Sequence, residues 1–127
     1  MAKILIIEDE RAMSDLIALK FKVEGFEVDQ AFGFNEAKTK LSAGGFDGVL
    51  TDYLLPDGDL VEFLTGVRGD LKLQKIPFVV MTNYIEDVNT EKLKALGVAD
   101  ILVKYQVVPA QMVQKFKEVL GTNKEVS

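Results

Sequence analysis

The sequence predicts an α/β domain of (βα)5 form: a doubly wound sheet of five parallel strands with helices on both faces. Three observations predict it. Short apolar runs alternate with longer amphipathic segments along the 127 residues, which is the rhythm of βα units. Four of the five runs are continuously apolar or nearly so, as parallel strands covered on both faces require. Acids, a threonine and a lysine stand just past the runs, where such a sheet gathers its ligand-binding groups.

Ile4–Ile7 forms the first strand and ends in Glu8, Asp9 and Glu10. Met13, Leu16, Ile17 and Phe21 then recur at helical spacing, and Gly25 stands where that helix should stop, as a C′ glycine does. Phe26–Asp29 alternates apolar and acidic residues, which suits an edge strand with one wet face. Val49–Thr51 is the third strand, ending at Asp52 and followed by the turn formers Pro56, Asp57, Gly58 and Asp59. Leu60, Phe63, Leu64, Val67 and Leu71 form the next helical stripe. Phe78–Met81 is the fourth strand and leads to Thr82; Gly97 closes the fourth helix; Ile101–Val103 is the fifth strand and leads to Lys104. Pro109 suits the first position of the last helix, whose stripe is Met112, Val113, Phe116, Val119 and Leu120. The stripes read as core and not as cofactor boxes. Residues 1–120 are expected to form one domain, with 121–127 a short frayed tail.

With 48% hydrophobic and 28% charged residues, the composition is that of a soluble globular chain. The net charge of −5 disfavours direct nucleic-acid binding, which needs a basic face. The chain has no cysteine and no histidine, so disulfides, thiolate nucleophiles, imidazole bases and a phosphohistidine of its own are excluded. Chemistry here must use carboxylates, Lys, Thr, Tyr or backbone. No apolar run approaches the roughly 18–20 residues of a membrane span. "MAKILIIEDE" reads as a first strand and not as a signal peptide, so a cytoplasmic location is expected.

In the common doubly wound order 2-1-3-4-5, strands one and three are neighbours, and Asp9 and Asp52 come side by side. Like charges about 5 Å apart at an effective dielectric near 20 repel by roughly 3 kcal/mol. Raised pKa values or a bound cation must offset that. An all-oxygen ligand set points to a hard ion, and Mg²⁺ suits one or two carboxylates with waters and a phosphoryl group. Lys104 adds a fixed positive charge and Thr82 a hydroxyl. Metal, ammonium and hydroxyl around a carboxylate suit a nucleophile that receives a phosphoryl group. Taken singly, each residue has a plainer reading. The Glu8-Asp9-Glu10 acids favour a helix N-terminus, Asp52 caps a turn, Thr82 makes a local hydrogen bond, and Lys104 is solvated. The ordered coincidence at four strand ends is what favours a site.

Those residues also carry a resemblance. From residue 2 to about 120 the chain resembles a receiver domain of two-component response regulators, with the flavodoxin-like fold of that family. "ILIIEDE" is similar to the family's first strand with its acid pair, Glu8 and Asp9; "VLTDYLLPDGDL" to the phosphoacceptor segment; "FVVMTN" places Thr82 at the hydroxyl position; "ALGVADILVK" places Lys104 at the lysine. The resemblance implies that Asp52 takes a phosphoryl group from a phosphohistidine on a sensor histidine kinase or a histidine phosphotransfer protein. It implies Mg²⁺ held by Asp9, Asp52 and the Leu54 backbone carbonyl, with Glu8 acting through water. Lys104 would contact the phosphoryl oxygens, and Thr82 would swing toward them and shift the face made by the fourth helix, the fifth strand and the fifth helix to control a downstream protein. Nothing beyond the chain's own phosphorylation and dephosphorylation is implied, so it is not expected to be an enzyme in the turnover sense.

The chain departs from the family pattern at several positions. Ile101 replaces the aromatic switch residue, and Tyr105 replaces the proline after the lysine, where a non-proline cis bond would cost about 2.5–4 kcal/mol. Asn83 is larger than the usual residue there. Leu54 and Tyr84, which flank the site, exclude water and point to slow loss of the phosphoryl group. Tyr105, Val107 and Val108 form an apolar cluster, either core or a partner patch. The competing reading is a degenerate receiver that binds protein without phosphorylation. A flavodoxin-like cofactor protein would need a phosphate-cradling loop after strand one, where "IIEDERAM" supplies acids. A haloacid-dehalogenase-type phosphatase would need D-x-D after a strand, where this chain reads E-D-E.

Overall fold

A computed structural model describes residues 1–121; the predicted tail from residue 122 onward lies outside the described residues. The five apolar runs become β1 (Lys3–Ile7), β2 (Glu27–Ala31), β3 (Gly48–Asp52), β4 (Phe78–Thr82) and β5 (Val98–Val103). They form one parallel sheet in the order β2-β1-β3-β4-β5, as the sequence predicts. Helices α1 (Arg11–Val23), α2 (Phe34–Ala43), α3 (Leu60–Arg68), α4 (Thr90–Ala95) and α5 (Pro109–Val119) connect them or follow them. A small antiparallel pair, Leu54–Leu55 with Gly58–Asp59, sits between β3 and α3.

Successive strand residues point to opposite faces, and the core divides accordingly. Ile4, Ile6, Leu50, Val79 and Met81 pack under α1 and α5 with Phe21 and Phe116, whose rings meet edge to face at 5.7 Å. Leu5, Ile7, Val49, Phe78 and Val80 pack under α2, α3 and α4 with Leu41, Leu64 and Leu93. Gly25 and Gly97 follow α1 and α4 at φ +95° and +83°, the left-handed conformation expected of C′ glycines. Pro109 opens α5 as predicted.

Three expectations are corrected. Leu16 is exposed and not core, because Ser14, Ile17, Ala18 and Phe21 supply the inward face of α1. Leu71 does not extend the α3 stripe. The helix stops at Arg68, Asp70 accepts from the Lys72 N–H to start a 3-10 turn, and Leu71 is 83% exposed. The fifth strand was expected to be covered on both faces, yet it is the second edge of the sheet and Ile101, Leu102 and Val103 are only half-buried.

Candidate functional site

Strand register builds the site. Ile7 pairs with Thr51, so Glu8 is level with Asp52. Asp52 pairs with Met81, and Thr82, one step further on, pairs with Val103. Lys104 follows in a 3-10 turn, Lys104–Gln106. The carboxyl ends of β1, β3 and β5 therefore bring Glu8, Asp52 and Lys104 together.

The Lys104 ammonium lies 3.0 and 3.2 Å from the two Asp52 oxygens and is ion-paired with Glu8. Glu8 is only 1% exposed and Asp52 only 6%. The Glu10 N–H donates to Glu8 Oε2 at 3.0 Å. Glu8 Oε1 is buried, and its partner is the Lys104 ammonium. Glu8, Asp9 and Asp52 each offer an oxygen within 4.8 Å of the others.

Burial first, then the bond to Glu8 and that acid's charge, pushes the Asp52 carboxyl up to about 7; Lys104 opposes the rise. Burial also pushes Glu8 up, but its bonds to Asp52, Lys104 and the Glu10 N–H outweigh that and leave it below its ordinary value. Burial pulls Lys104 down, yet the two acids raise it overall. The Glu8–Asp52 pair thus titrates as a unit, with the raised proton affinity on Asp52 and the lowered one on Glu8. The sequence expectation gave Asp9 the direct role and Glu8 a role through water. In the structure Glu8 is the buried acid and Asp9 the exposed one. Glu10, with its N–H on Glu8, is a positioning residue that the sequence did not reveal, since any residue there offers the same donor.

Thr82 is buried at the tip of β4, with its hydroxyl accepting from the Tyr84 N–H at 3.0 Å. Leu54 and Tyr84 are 70% and 67% exposed, and Asn83 is exposed too. Leu54 stands opposite Asp59 in the small antiparallel pair. The 104–106 segment has no cis peptide bond. The apolar cluster splits: Val107 packs against the core, whereas Tyr105 and Val108 are exposed.

The donor set fits a hard divalent cation. Glu8, Asp9 and Asp52 are all oxygen donors, and against the single Lys104 ammonium they leave the cluster net negative even with one proton on the buried pair.

A model of the response regulator receiver domain matches residues 4–117, and the chain belongs to that family. Among curated relatives, the phosphate regulon transcriptional regulatory protein PhoB of Rhizobium meliloti (strain 1021) is 30% identical over 102 residues, covering 80% of this chain and 45% of its own length. The chain spans about half the length of the curated relatives it matches. The Vibrio cholerae chemotaxis protein CheY4 superposes with a TM-score of 0.86 at 25% identity, covering 94% of this chain and 98% of that one. The response regulator TrrA of Thermotoga maritima, solved in complex with Mg²⁺-BeF, superposes at 0.76 with 23% identity, covering 94% and 99%. No helix among the described residues is long and apolar enough to cross a membrane.

Proposed function

We propose that the chain is a phosphorylation-dependent receiver in which Asp52 accepts a phosphoryl group from a phosphohistidine on a sensor histidine kinase or a histidine phosphotransfer protein. The contact of Lys104 with both Asp52 oxygens, beside a second buried acid, carries this reading. An Asp52 oxygen attacks phosphorus, the P–O bond forms as the P–N bond breaks, and the electron pair leaves with the donor imidazole. Lys104 holds the phosphoryl oxygens as their charge moves toward Asp52. Glu8, Asp9, Asp52 and the Leu54 carbonyl would hold Mg²⁺. When bound, that ion supplies positive charge that keeps Asp52 ionised and offsets the phosphoryl oxygens. The metal complex of TrrA supports this assignment by likeness of fold.

For output, the Thr82 hydroxyl leaves the Tyr84 N–H and turns to the phosphoryl group, drawing the β4–α4 segment with it and altering the α4–β5–α5 face for a downstream protein. Ile101 is half-buried on that face and takes the place of an aromatic partner in the movement. The chain acts as a stoichiometric acceptor in the cytoplasm and turns over no substrate beyond its own phosphoryl group.

The test is intact mass after incubation with a small acyl phosphate and Mg²⁺, for the wild type and Asp52→Ala. One added phosphoryl mass in the wild type alone is the expected result. A folded wild type that gains none from any donor would replace this reading with a module that binds protein without phosphorylation.

A further inference from the structure

Helices α2 and α3 leave a cleft of about 260 Å³ between them. Its base is aromatic: the buried Phe34 and the partly exposed Phe63 stack with centroids 4.8 Å apart and planes 22° from parallel, so Phe63 presents the accessible ring. Leu41 and Val67 complete the apolar surface. The rim is acidic. Asp57, Asp59, Glu62 and Asp70 line the cleft, against Lys38 as the one lining cation among the described residues. Asp57 is occupied at the start of α2, accepting from the Phe34 and Asn35 N–H groups at 3.0 Å each. Asp59 and Asp70 each accept a backbone N–H. Among the described residues none of Asp59, Glu62 and Asp70 has a cationic partner.

Gly66 is the second observation. It lies within α3 and lines the cleft. Its φ is not positive, and a Cβ built there would meet nothing within 4 Å. Neither backbone conformation nor close packing requires glycine, although glycine weakens a helix interior relative to alanine. What the missing side chain does is keep the cleft open.

We propose that the α2–α3 cleft binds a small aromatic cation, its ring against Phe63 on the aromatic base and its charge toward Asp59, Glu62 and Asp70. The apolar base with a few convergent polar groups is the usual form of a small-molecule site. The cleft is smaller than the roughly 300–1,000 Å³ typical of drug-sized ligands, which restricts the occupant to about one ring. Stacking on Phe63 orients the ring, and the excess of acid over base selects its charge.

The test is an amide chemical-shift titration of the full chain with benzamidine, its neutral analogue benzamide and its anionic analogue benzoate. Benzamidine is expected to move the amides of Phe34, Phe63 and Gly66 saturably, with about tenfold tighter binding than benzamide and no saturation by benzoate. Gly66→Leu should abolish the shifts while phosphoryl uptake at Asp52 persists. Glu62→Gln combined with Asp70→Asn, which keeps a capping side chain at residue 70, should reduce benzamidine to the affinity of benzamide. If Gly66→Leu does not fold, the charge variant decides alone. Absence of saturable shifts, equal binding of benzoate, or binding unchanged by the charge variant would overturn the proposal. So would shifts seen only with an arginine- and aromatic-bearing peptide, which would make the cleft a protein-docking groove.

Discussion

The two ends of the sheet each hold a half-buried cation, and they treat it in opposite ways. At the carboxyl end Lys104 faces two buried carboxylates, Glu8 and Asp52. At the amino end Arg68 faces no carboxylate among the described residues. Its guanidinium donates to the carbonyls of Leu96, Ile76, Leu73 and Gln74 at 2.7 to 3.1 Å and lies 3.4 Å from that of Gly97. Its plane also lies over the Phe78 ring, 5.2 Å from the centroid. Burial pulls the Arg68 pKa below its ordinary value, whereas Lys104 is raised by its acids despite burial. The difference separates structure from function. Neutral carbonyls cannot change charge, so the Arg68 brace ties the end of α3 to the 73–76 segment and the α4–β5 turn whatever the ligand. The Lys104 cluster is a balance of formal charges that a proton, a cation or a phosphoryl group can shift.

Removing each cation would break the comparison most directly. Lys104→Met should lower the rate of phosphoryl uptake by about 10²–10³-fold, the usual cost of losing one oxyanion contact, measured by intact mass over time. Arg68→Met should leave that rate unchanged in folded protein and instead lower stability by about 3 kcal/mol, since several carbonyls lose a charged donor; denaturant unfolding measures it. Loss of uptake in Arg68→Met at full folding would mean that the two ends are not independent.

The pH dependence sharpens the contrast. Asp52 is held up to about 7, so the folded state keeps a proton that the unfolded state releases near 4. This group's contribution is fully present below about pH 4 and is lost as pH rises through about 7. Glu8, held low, acts in the opposite direction, with stability present above its unfolded pKa. Asp52→Asn should therefore raise the unfolding free energy at pH 8 by an amount on the order of 3–4 kcal/mol, by less at pH 5, and with little change at pH 4. Mg²⁺ should stabilise the wild type more at pH 8 than at pH 5. A wild type and an Asp52→Asn variant with parallel stability profiles from pH 5 to 8 would contradict the proton assignment.

The smallest expected effect lies at the rim. Leu54 and Tyr84 present exposed apolar and aromatic surface beside the buried acceptor. Leu54→Asn should shorten the lifetime of phosphorylated Asp52 several-fold, about 1 kcal/mol in barrier, followed by loss of the phosphoryl mass. An equal or longer lifetime would remove the water-excluding role.

Much of this was legible in the chain itself. Four apolar runs and one alternating run located the five strands, glycines and Pro109 located helix ends, and the sheet order placed Asp52 beside the acids of the first strand. These features are local, because periodicity, left-handed glycines and a fixed proline φ act over a few residues. Leu16 and Leu71 misled because an apolar residue at helical spacing does not show whether another element covers it. Ile101 and its neighbours misled because an edge strand and a central parallel strand can share one composition. The Arg68 brace left no pattern at all: its acceptors are backbone carbonyls, which every residue has.

The sequence by itself determined the fold class, the strand order and which side chains stand at the carboxyl ends of the strands. Only the tertiary structure decided how their charges are shared: that Glu8 and not Asp9 is buried against Lys104, that the Asp52 carboxyl is pushed up while Glu8 is held low, and that Gly66 opens onto an acidic, aromatic-based cleft. The reason is physical. Backbone preferences act along the chain, whereas burial and Coulomb interaction depend on distances between residues tens of positions apart, and those exist only once the sheet has formed.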